Sequence, residues 1–429
     1  MENVRNQGSL LRTGREPARI AIIFAFFTVL AATGLSHAQT FNVVYTFTDS
    51  PDGANPVGLI RDAQGNLYGT TEWGGDDQCG PPNPFTCGTV FEVDKNGVES
   101  VLYAFTGQGD GANPVGGVIR DAAGNLYGTT QGNGTINAAS TIFKVDSSGN
   151  ETVLHTFNNG TEGCCADSPL WQDAAGNLYG SAPFGGNSSC GIDGLGCGTL
   201  FSLAPSGKFT VIHTFARTDG MQPEGGLVSD GKANLYGVTL KGGNPQCLAP
   251  TGCGTVFQLD KNGKLTVLHA FNEKGDGRYP LGVIRDTAGN LYGIAEDGGD
   301  MNCNSGEGCG TIFKVDSAGA FSVLYTFTPT TSRNPAYANH LYIDGKGNLY
   351  GIKQLDGANN AGFLFELATN GNFTDLYDFA AHGTNGDGSM PVGFVAAGDG
   401  IFGVMELGGI STCGGNPPQG CGTVFQLTP

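Results

Sequence analysis

The sequence predicts an all-β fold, a seven-bladed β-propeller of four-stranded antiparallel blades. One phrase, G-N-L-Y-G, recurs seven times with small changes, at intervals of 52 to 59 residues. A repeat of this kind indicates a solenoid or a propeller. Beyond residue 38 no stretch shows a sustained apolar period of 3.6 residues, so we expect almost no helix. The aromatic residue of the phrase falls at Tyr68, Tyr127, Tyr179, Tyr236, Tyr292, Tyr350 and Phe402.

Each repeat contains four short runs with the composition of β-strands. In the first complete unit the runs are Val57–Arg61, Asn66–Thr71, Thr89–Val93 and Ser100–Phe105. They are rich in β-branched and aromatic residues, which favour strands. A D-x-x-G turn follows the first and third runs, and its aspartate and its glycine, which tolerates positive φ, are typical of hairpins.

The two ends of the chain predict how the repeats close. Phe41–Phe47 matches the fourth run of a unit, and Thr423–Leu427 matches the third. An open solenoid is the alternative, but it gains nothing from this half-unit offset and would need capped ends. We therefore expect a ring in which the N-terminal strand completes the C-terminal blade.

Residues 1–38 have the features of a secretory signal peptide. Four arginines precede the apolar run Ile20–Leu35, and Ser36-His37-Ala38 supplies small residues at a cleavage site. The run has 16 residues, which is short for a bilayer. We expect cleavage after Ala38, a secreted or periplasmic protein, and one propeller domain over residues 39–429, with no other membrane span. An uncleaved membrane anchor is the alternative.

The charge of the predicted mature chain is strongly negative. Removing four arginines and two glutamates leaves 17 basic and 37 acidic residues, a net charge of −20. Such a chain repels nucleic acid and anionic membranes. No cofactor motif is present, and we expect a monomer without a cofactor.

Ten of the twelve cysteines form local pairs between the second and third runs of their units. In an exported protein such pairs predict disulfides that staple loops. Zinc is disfavoured because these loops contain no histidine. The pairs are Cys79–Cys87, Cys190–Cys197, Cys247–Cys253, Cys303–Cys309 and Cys413–Cys421. Cys164 and Cys165 stand apart, and a vicinal disulfide, two free thiols or pairing with another chain are the alternatives, of which we expect the first.

Loop lengths indicate where a ligand would bind. The turns after the first and third runs are tight in every unit, whereas the other connections are long and variable, so all long loops emerge on one face. Binding residues concentrate on such loops. The candidates are the aspartates of a repeated D-G-x-x-P element, Asp52, Asp110, Asp219, Asp276 and Asp387, together with Trp73, Trp171, Phe184, Arg278 and Tyr279. A repeated turn ahead of a strand is the alternative for the aspartates, and no calcium motif or metal site is predicted.

The sequence offers little for catalysis. It contains neither G-x-S-x-G nor H-E-x-x-H nor a phosphate-binding loop. Three histidines occupy a repeat position that holds tyrosine elsewhere, which indicates packing. His340 and His382 have no such counterpart and are the weak catalytic candidates. Glu72, Glu296 and Glu406 recur at one repeat position, so we interpret them as structural.

The repeat pattern resembles a known family. The string P-x-G-L-I-x-D-x-x-G-N-L-Y-G-T-T, followed by G-G, a loop, G-T-V-F-x-V-D-x-x-G and V-L-Y-x-F, resembles the GloVer-type tandem repeat of secreted bacterial proteins, many with varied anchors. The resemblance covers residues 41–429. The order of strands and turns in the repeat unit is also similar to that of NHL repeats. It implies a propeller fold and export, and no defined reaction.

These observations predict a secreted, non-enzymatic binding or scaffold protein whose ligand lies on the face of the long stapled loops. A carbohydrate, a peptide or a cell-surface protein fits such a face. An extracellular lyase or hydrolase acting on glycans, using His340 and His382, is one alternative. A structural component of the cell envelope is another.

Overall fold

The computed structural model describes residues 40–75, 87–132, 140–158, 160–190, 194–303, 306–329, 340–355, 357, 359–380, 387–409 and 420–428. The signal peptide predicted over residues 1–38 lies outside the described residues, as do Cys79, Cys413 and His382. None of the described residues belongs to a helix that is long and apolar enough to cross a membrane.

The described residues form seven four-stranded antiparallel sheets, which we number as blades 1 to 7. Each blade uses consecutive strands, and strand order in the sheet follows chain order except where the ring closes. The strands of blades 1 to 3 are β2 (Ala54–Arg61), β3 (Leu67–Trp73), β4 (Thr89–Val93), β5 (Glu99–Ala104); β6 (Val118–Arg120), β7 (Leu126–Thr130), β8 (Thr141–Val145), β9 (Glu151–Thr156); β10 (Trp171–Gln172), β11 (Leu178–Ala182), β12 (Thr199–Leu203), β13 (Phe209–Thr214). The strands of blades 4 to 6 are β14 (Met221–Ser229), β15 (Leu235–Lys241), β16 (Thr255–Leu259), β17 (Leu265–Ala270); β18 (Arg278–Arg285), β19 (Leu291–Asp297), β20 (Thr311–Val315), β21 (Phe321–Thr326); β22 (Leu341–Ile343), β23 (Leu349–Lys353), β24 (Phe363–Leu367), β25 (Phe373–Asp378).

Blade 7 joins the two ends of the chain. It contains β26 (Ser389–Ala397), β27 (Gly400–Leu407), β28 (Thr423–Thr428) and β1 (Thr40–Thr46). The last two pair antiparallel, with Phe41 opposite Leu427 and Thr46 opposite Thr423. The predicted seven-bladed ring, closed by the N-terminal strand, is therefore confirmed, and the open solenoid is excluded.

Pairs of phenylalanines join each blade to the next. Phe105 directly follows the fourth strand of blade 1 and meets Phe143, on the third strand of blade 2, edge to face with 5.0 Å between the ring centroids. Both side chains are fully buried. The same contact recurs at all seven junctions, with centroids 5.0 to 5.8 Å apart. Such pairs contribute about 0.5–1.5 kcal/mol each beyond their buried area. Because these buried rings lie at the junctions, the hydrophobic core lies between the blades.

The glycine that ends each N-L-Y-G phrase makes room for this core. A methyl group at Gly69 would lie 2.6 Å from Cζ of Phe91 and 2.7 Å from the carbonyl oxygen of Gly58. The corresponding glycine of every other blade faces its own third-strand phenylalanine in the same way. Packing therefore explains why the glycine recurs in every unit, because only glycine leaves space for the ring.

The D-x-x-G segments form the tight turns that the sequence predicts. Oδ1 of Asp94 accepts hydrogen bonds from the backbone N–H groups of Asn96 and Val98, both at 2.8 Å. The Val98 bond makes the largest contribution to lowering the pKa of Asp94. Gly97 adopts a φ of 82°, which favours glycine. We call the side of the ring that carries these turns the tight-turn face and the opposite side the long-loop face.

Candidate functional site

Carboxylates gather where the second strands end at the long-loop face. Glu72, Glu296 and Glu406 stand at or beside the ends of β3, β19 and β27 and are half-buried. Blade 6 carries Gln354 at the same repeat position, directly after β23. Blade 2 carries Gln131 there, directly after β7, so the repeat places a polar side chain at this position in five blades.

These side chains interact from blade to blade. Nε2 of Gln354 donates a 2.8 Å hydrogen bond to Oε2 of Glu406, and the charge of Glu406 acts in turn on Glu72. On the other side of the ring, Glu224 feels the charges of Asp167 and Glu296. The interactions link Gln354, Glu406 and Glu72 of blades 6, 7 and 1, and they link Asp167, Glu224 and Glu296 of blades 3 to 5. We call Glu72, Asp167, Glu224, Glu296, Gln354 and Glu406 the axial ring.

Burial raises the pKa of the axial carboxylates. It raises the pKa of Glu72 to about 7, and the nearby Glu406 raises it further in the same direction. Burial also raises the pKa of Glu296 to about 7 and that of Asp167 to about 7. The pKa of Glu224 lies well above its ordinary value, first through desolvation and then through its acidic neighbours. A cation in the ring would stabilise the ionised forms.

Sequence reasoning interpreted the three repeat-position glutamates as structural and missed Asp167 and Glu224. Both missed residues occupy a first-strand register that holds Val57, Val115 and Val392 in sister units. An acidic residue in an apolar register is the signal that could have identified them. This signal is visible only when the first strands of the units are aligned with a one-residue gap, because these strands differ in length by one residue.

The D-G-x-x-P aspartates lie in the connections between blades, and their carboxylates are engaged by the fold. Asp52 accepts a 2.6 Å hydrogen bond from the Tyr45 hydroxyl and further bonds from the Thr48 backbone N–H and hydroxyl. His213 and His269 take the tyrosine's place opposite Asp219 and Asp276, at 3.2 and 3.0 Å. The remaining two, Asp110 and Asp387, accept from Tyr103 and Tyr377. Their role in binding a ligand stays a prediction.

The aromatic candidates do not share one place. Trp73 ends β3 beside Glu72 and hydrogen-bonds that carboxylate. Phe184 follows β11, and its carbonyl oxygen accepts a 3.1 Å hydrogen bond from the Cys164 N–H. Trp171 lies at the other end of blade 3, where it pairs with Tyr179 next to a tight turn. It therefore does not belong to the long-loop face.

Arg278 and Tyr279 lie at the start of β18. Arg278 is buried and its guanidinium bonds Glu273 at 2.6 Å and Asp297 at 3.1 Å. Its Cζ lies 5.2 Å from the centroid of the Tyr279 ring. Oδ1 of Asp297 is buried without a hydrogen-bond partner. The cation is thus neutralised within the protein, and an unsatisfied acceptor remains beside Glu296.

His340 sits where the first strands of neighbouring blades approach the axis. A methyl group at Gly393 would lie 3.2 Å from Cα of Gly58 and 3.6 Å from Nε2 of His340. Burial lowers the pKa of His340 to about 4, and its Nδ1 atom is buried without a partner. The described residues place no carboxylate in hydrogen-bond contact with it. His382 lies outside them, so the two histidines stay catalytic candidates by prediction alone.

The structure contains three of the predicted disulfides, Cys190–Cys197, Cys247–Cys253 and Cys303–Cys309. Cys87 and Cys421 are also disulfide-bonded, and their predicted partners lie outside the described residues. Cys164 and Cys165 are both buried, and their Sγ atoms lie 2.7 Å apart. The vicinal bond between them stays a prediction. Within the described segments, no group of three or more histidine, cysteine or acidic side chains is arranged to hold a metal ion.

Sequence comparison finds the repeat over nearly the whole chain. The sequence pattern of the Gloeobacter/Verrucomicrobia repeat matches residues 29–248, 173–340 and 247–429. No curated protein matches the sequence.

Several solved propellers have a similar structure. A catalytically inactive variant of virginiamycin B lyase from Staphylococcus aureus, solved with quinupristin, has a TM-score of 0.56 at 13% identity, covering 91% of this chain and 99% of its own. The extracellular domain of a one-component system from B. thetaiotaomicron gives 0.54 at 11%, covering 90% of this chain and 39% of its own. A protein described as a 6-phosphogluconolactonase from Bacteroides uniformis gives 0.51 at 14%, with 85% and 99% covered. At these identities the similarity supports the fold and not an activity.

Proposed function

The chain belongs to the Gloeobacter/Verrucomicrobia repeat family, and from this premise we propose that it is a secreted, non-enzymatic binding protein. The long-loop face holds the ligand, and the axial ring receives a cationic group of that ligand. A predicted signal peptide and stapled loops support export, because disulfides persist in oxidising compartments. An ammonium group on a carbohydrate or on a peptide supplies the required cation.

One observation supports this proposal: burial raises the pKa of a carboxylate in each of five blades, and charge acts from Glu406 on Glu72 and from Asp167 and Glu296 on Glu224. The fold supplies Gln354 as a neutral donor to Glu406. Asp167 acts on Glu224 with like charge, and the cations Lys241 and Lys353 offset part of the acidity at Glu224 and Glu296. Two opposite charges 4 Å apart attract by about 4 kcal/mol at an effective dielectric constant of 20. An ammonium group entering the ring therefore gains attraction and displaces protons from the glutamates.

The test compares amine-bearing probes with their acetylated forms. Glucosamine oligomers and a lysine tripeptide should bind, and N-acetylglucosamine oligomers and the acetyl-lysine tripeptide should not. The double substitution Glu72→Gln with Glu406→Gln should weaken binding at least tenfold, and binding should release protons in a calorimeter. Glu366→Gln, which removes a charge from the third strand of blade 6, is the control. Equal binding of amine and acetylated probes contradicts the proposal.

A second candidate is an extracellular lyase or hydrolase acting on glycans. It is favoured by Glu72 and Glu296, whose pKa values near 7 suit a general acid at neutral pH. The discriminating measurement is product formation from any glycan that binds. Turnover that Glu296→Gln or His340→Ala abolishes, with binding retained, favours the enzyme over the binding protein.

A further inference from the structure

On the tight-turn face, three blade junctions each contain an arginine that packs on an aromatic ring of the preceding blade, and we call these the clamped junctions. The guanidinium carbons of Arg61, Arg120 and Arg285 lie 4.8, 5.1 and 5.7 Å from the centroid of an aromatic ring on the preceding blade. Those rings belong to Phe402, Tyr68 and Tyr236, the aromatic residues of the seven-fold repeat phrase. The distances are those of cation–π contacts.

The junction between blades 2 and 3 has the same ring and lacks the cation. Gln172 pairs with Leu178 as Arg120 pairs with Leu126, so glutamine occupies the arginine position. In the described part of the chain, no cation–π contact covers the Tyr127 ring. A cavity of about 670 Å³ lies there instead, lined by Tyr127 and Asp121 of blade 2 and by Gln172, Asp173 and Gly176 of blade 3.

The clamped junctions show what fits this cavity. In each of them the guanidinium lies between the aromatic ring and the turn glycine of its own blade, with Nη2 3.0 to 3.2 Å from the position that a Cβ would take at Gly65, Gly124 or Gly289. Gly176 and Tyr127 are the matching pair in the cavity. The charge of Arg285 acts on the turn aspartate Asp230, whose counterpart in the cavity is Asp121.

We propose that this cavity binds the side chain of an arginine from a partner peptide. The guanidinium stacks on the exposed face of Tyr127, in the place that Arg120 takes over Tyr68, and the turn aspartates supply negative charge. The volume exceeds that of one guanidinium, so residues beside the arginine also fit. The net charge of −18 favours approach of a basic peptide.

Lys144 lies at the edge of the cavity and opposes this binding. It pairs across the sheet with Tyr127, at a position that holds Glu92, Gln258 or Gln426 opposite the three clamped rings. Its ammonium repels an incoming guanidinium. Lys144→Gln therefore reproduces the environment of the clamped junctions and should strengthen binding.

The experiment titrates the full chain with the tripeptides Gly-Arg-Gly, Gly-Lys-Gly and Gly-citrulline-Gly. Gly-Arg-Gly should bind best, since citrulline keeps the shape without the charge and lysine lacks the planar fork. Gln172→Arg fills the cavity from within, so it should reduce affinity at least tenfold while the melting temperature stays equal or rises. Lys144→Gln should increase affinity several-fold.

The reverse substitution provides an internal control. Arg120→Gln should open a second cavity over Tyr68 and raise the stoichiometry from one peptide to two. The axial-ring variant Glu72→Gln with Glu406→Gln should leave Gly-Arg-Gly binding unchanged, which separates this site from the proposed function. Loss of binding in that variant but not in Gln172→Arg overturns the assignment, as does the absence of binding to both the wild type and Lys144→Gln at millimolar peptide.

Discussion

Gln354 of blade 6 donates a 2.8 Å hydrogen bond to Glu406 of blade 7, and this amide is the neutral member of an otherwise acidic ring. Burial raises the pKa of Glu406, and the bond from Gln354 partly lowers it again. The glutamine thus permits an ionised carboxylate where desolvation disfavours one. Because Gln354 lies among carboxyl groups, replacing it should change how the stability of the protein depends on pH.

Gln354→Glu should destabilise the protein more at pH 8 than at pH 5. The substitution replaces a donor with a sixth carboxyl group, and leaving a buried partner unsatisfied costs about 1–3 kcal/mol. At pH 5 the ring is largely protonated and a carboxylic acid can still donate. Thermal melts at the two pH values measure the difference, with Gln64→Glu in an exposed turn as the control. A loss independent of pH would show that the ring is not electrostatically coupled.

The whole protein should become more stable as pH falls from 8 toward 5. Burial raises the pKa of Glu72, Glu99, Glu151 and Glu296 to about 7, against an ordinary 4.5. Between these values the folded chain binds protons that the unfolded chain has released, so stability is lost as pH rises through 7. Below pH 4 the sign reverses, because the lowered pKa of Asp94 and its sister turn residues makes protonation favour unfolding.

A melting temperature that is flat or rises between pH 5 and 8 would falsify this interpretation. The substitution Glu99→Gln should flatten the profile, since it removes one raised carboxyl group. Asp300→Asn, in the loop after β19, should leave the profile unchanged and serves as its control, because an asparagine oxygen can still accept the hydrogen bonds from Asn302.

The fold could be predicted because its causes are local and repeated. The D-x-x-G turns, the glycine beneath each third-strand phenylalanine and the repeat unit divided between Phe41 and Leu427 all carry their structural reason in adjacent residues. Seven copies of each N-L-Y-G feature make accidental agreement negligible. Strand bounds differ from the predicted runs by a few residues, as at β2, which begins at Ala54 and not at Val57.

The candidate site could be predicted only in part, because it departs from the repeat. The repeated aspartates are the binding candidates that the sequence indicates, yet the carboxylate of Asp52 already accepts hydrogen bonds from Tyr45 and Thr48. Residues whose charges act on one another, such as Glu224 and Asp167, come from different blades and have no common motif. Their proximity follows from the ring, so it becomes visible only once the blades are arranged about an axis.

The phenylalanine junctions should dominate stability. Phe105→Ala should cost about 3–5 kcal/mol, since it leaves a cavity between two blades. Phe105→Leu should cost less because it retains most of the volume. Chemical denaturation measures both, and Val98→Ala, at a side chain that is 61% exposed, is the control. A cost below about 1 kcal/mol for Phe105→Ala would contradict the location of the core between blades.

The loop disulfides should act locally. Removing Cys190–Cys197 by a double substitution to alanine should cost about 2.5 kcal/mol in the loop-entropy description. The loss should appear as faster amide exchange around Gly185, whose N–H donates to the Leu195 carbonyl at 2.7 Å. Blades 1 and 5 serve as internal controls within the same experiment. Faster exchange throughout the ring would instead mean that this staple supports the global fold.

Closure of the ring should depend on β1 as a strand and not on its place in the chain. Deleting residues 40–46 exposes the edge of β28 and removes Phe41, whose ring stacks 4.9 Å from Tyr377, so the deletion should lower the melting temperature and promote aggregation. A circular permutant that carries Gln39–Phe47 after residue 429, and begins at Thr48, keeps the strand beside β28 through a short linker. It should recover most of the lost stability, because the same pairing from Phe41–Leu427 to Thr46–Thr423 forms within one chain segment. A permutant as unstable as the deletion would show that the connection from β1 into blade 1, and not the β1–β28 pairing, holds the ring together.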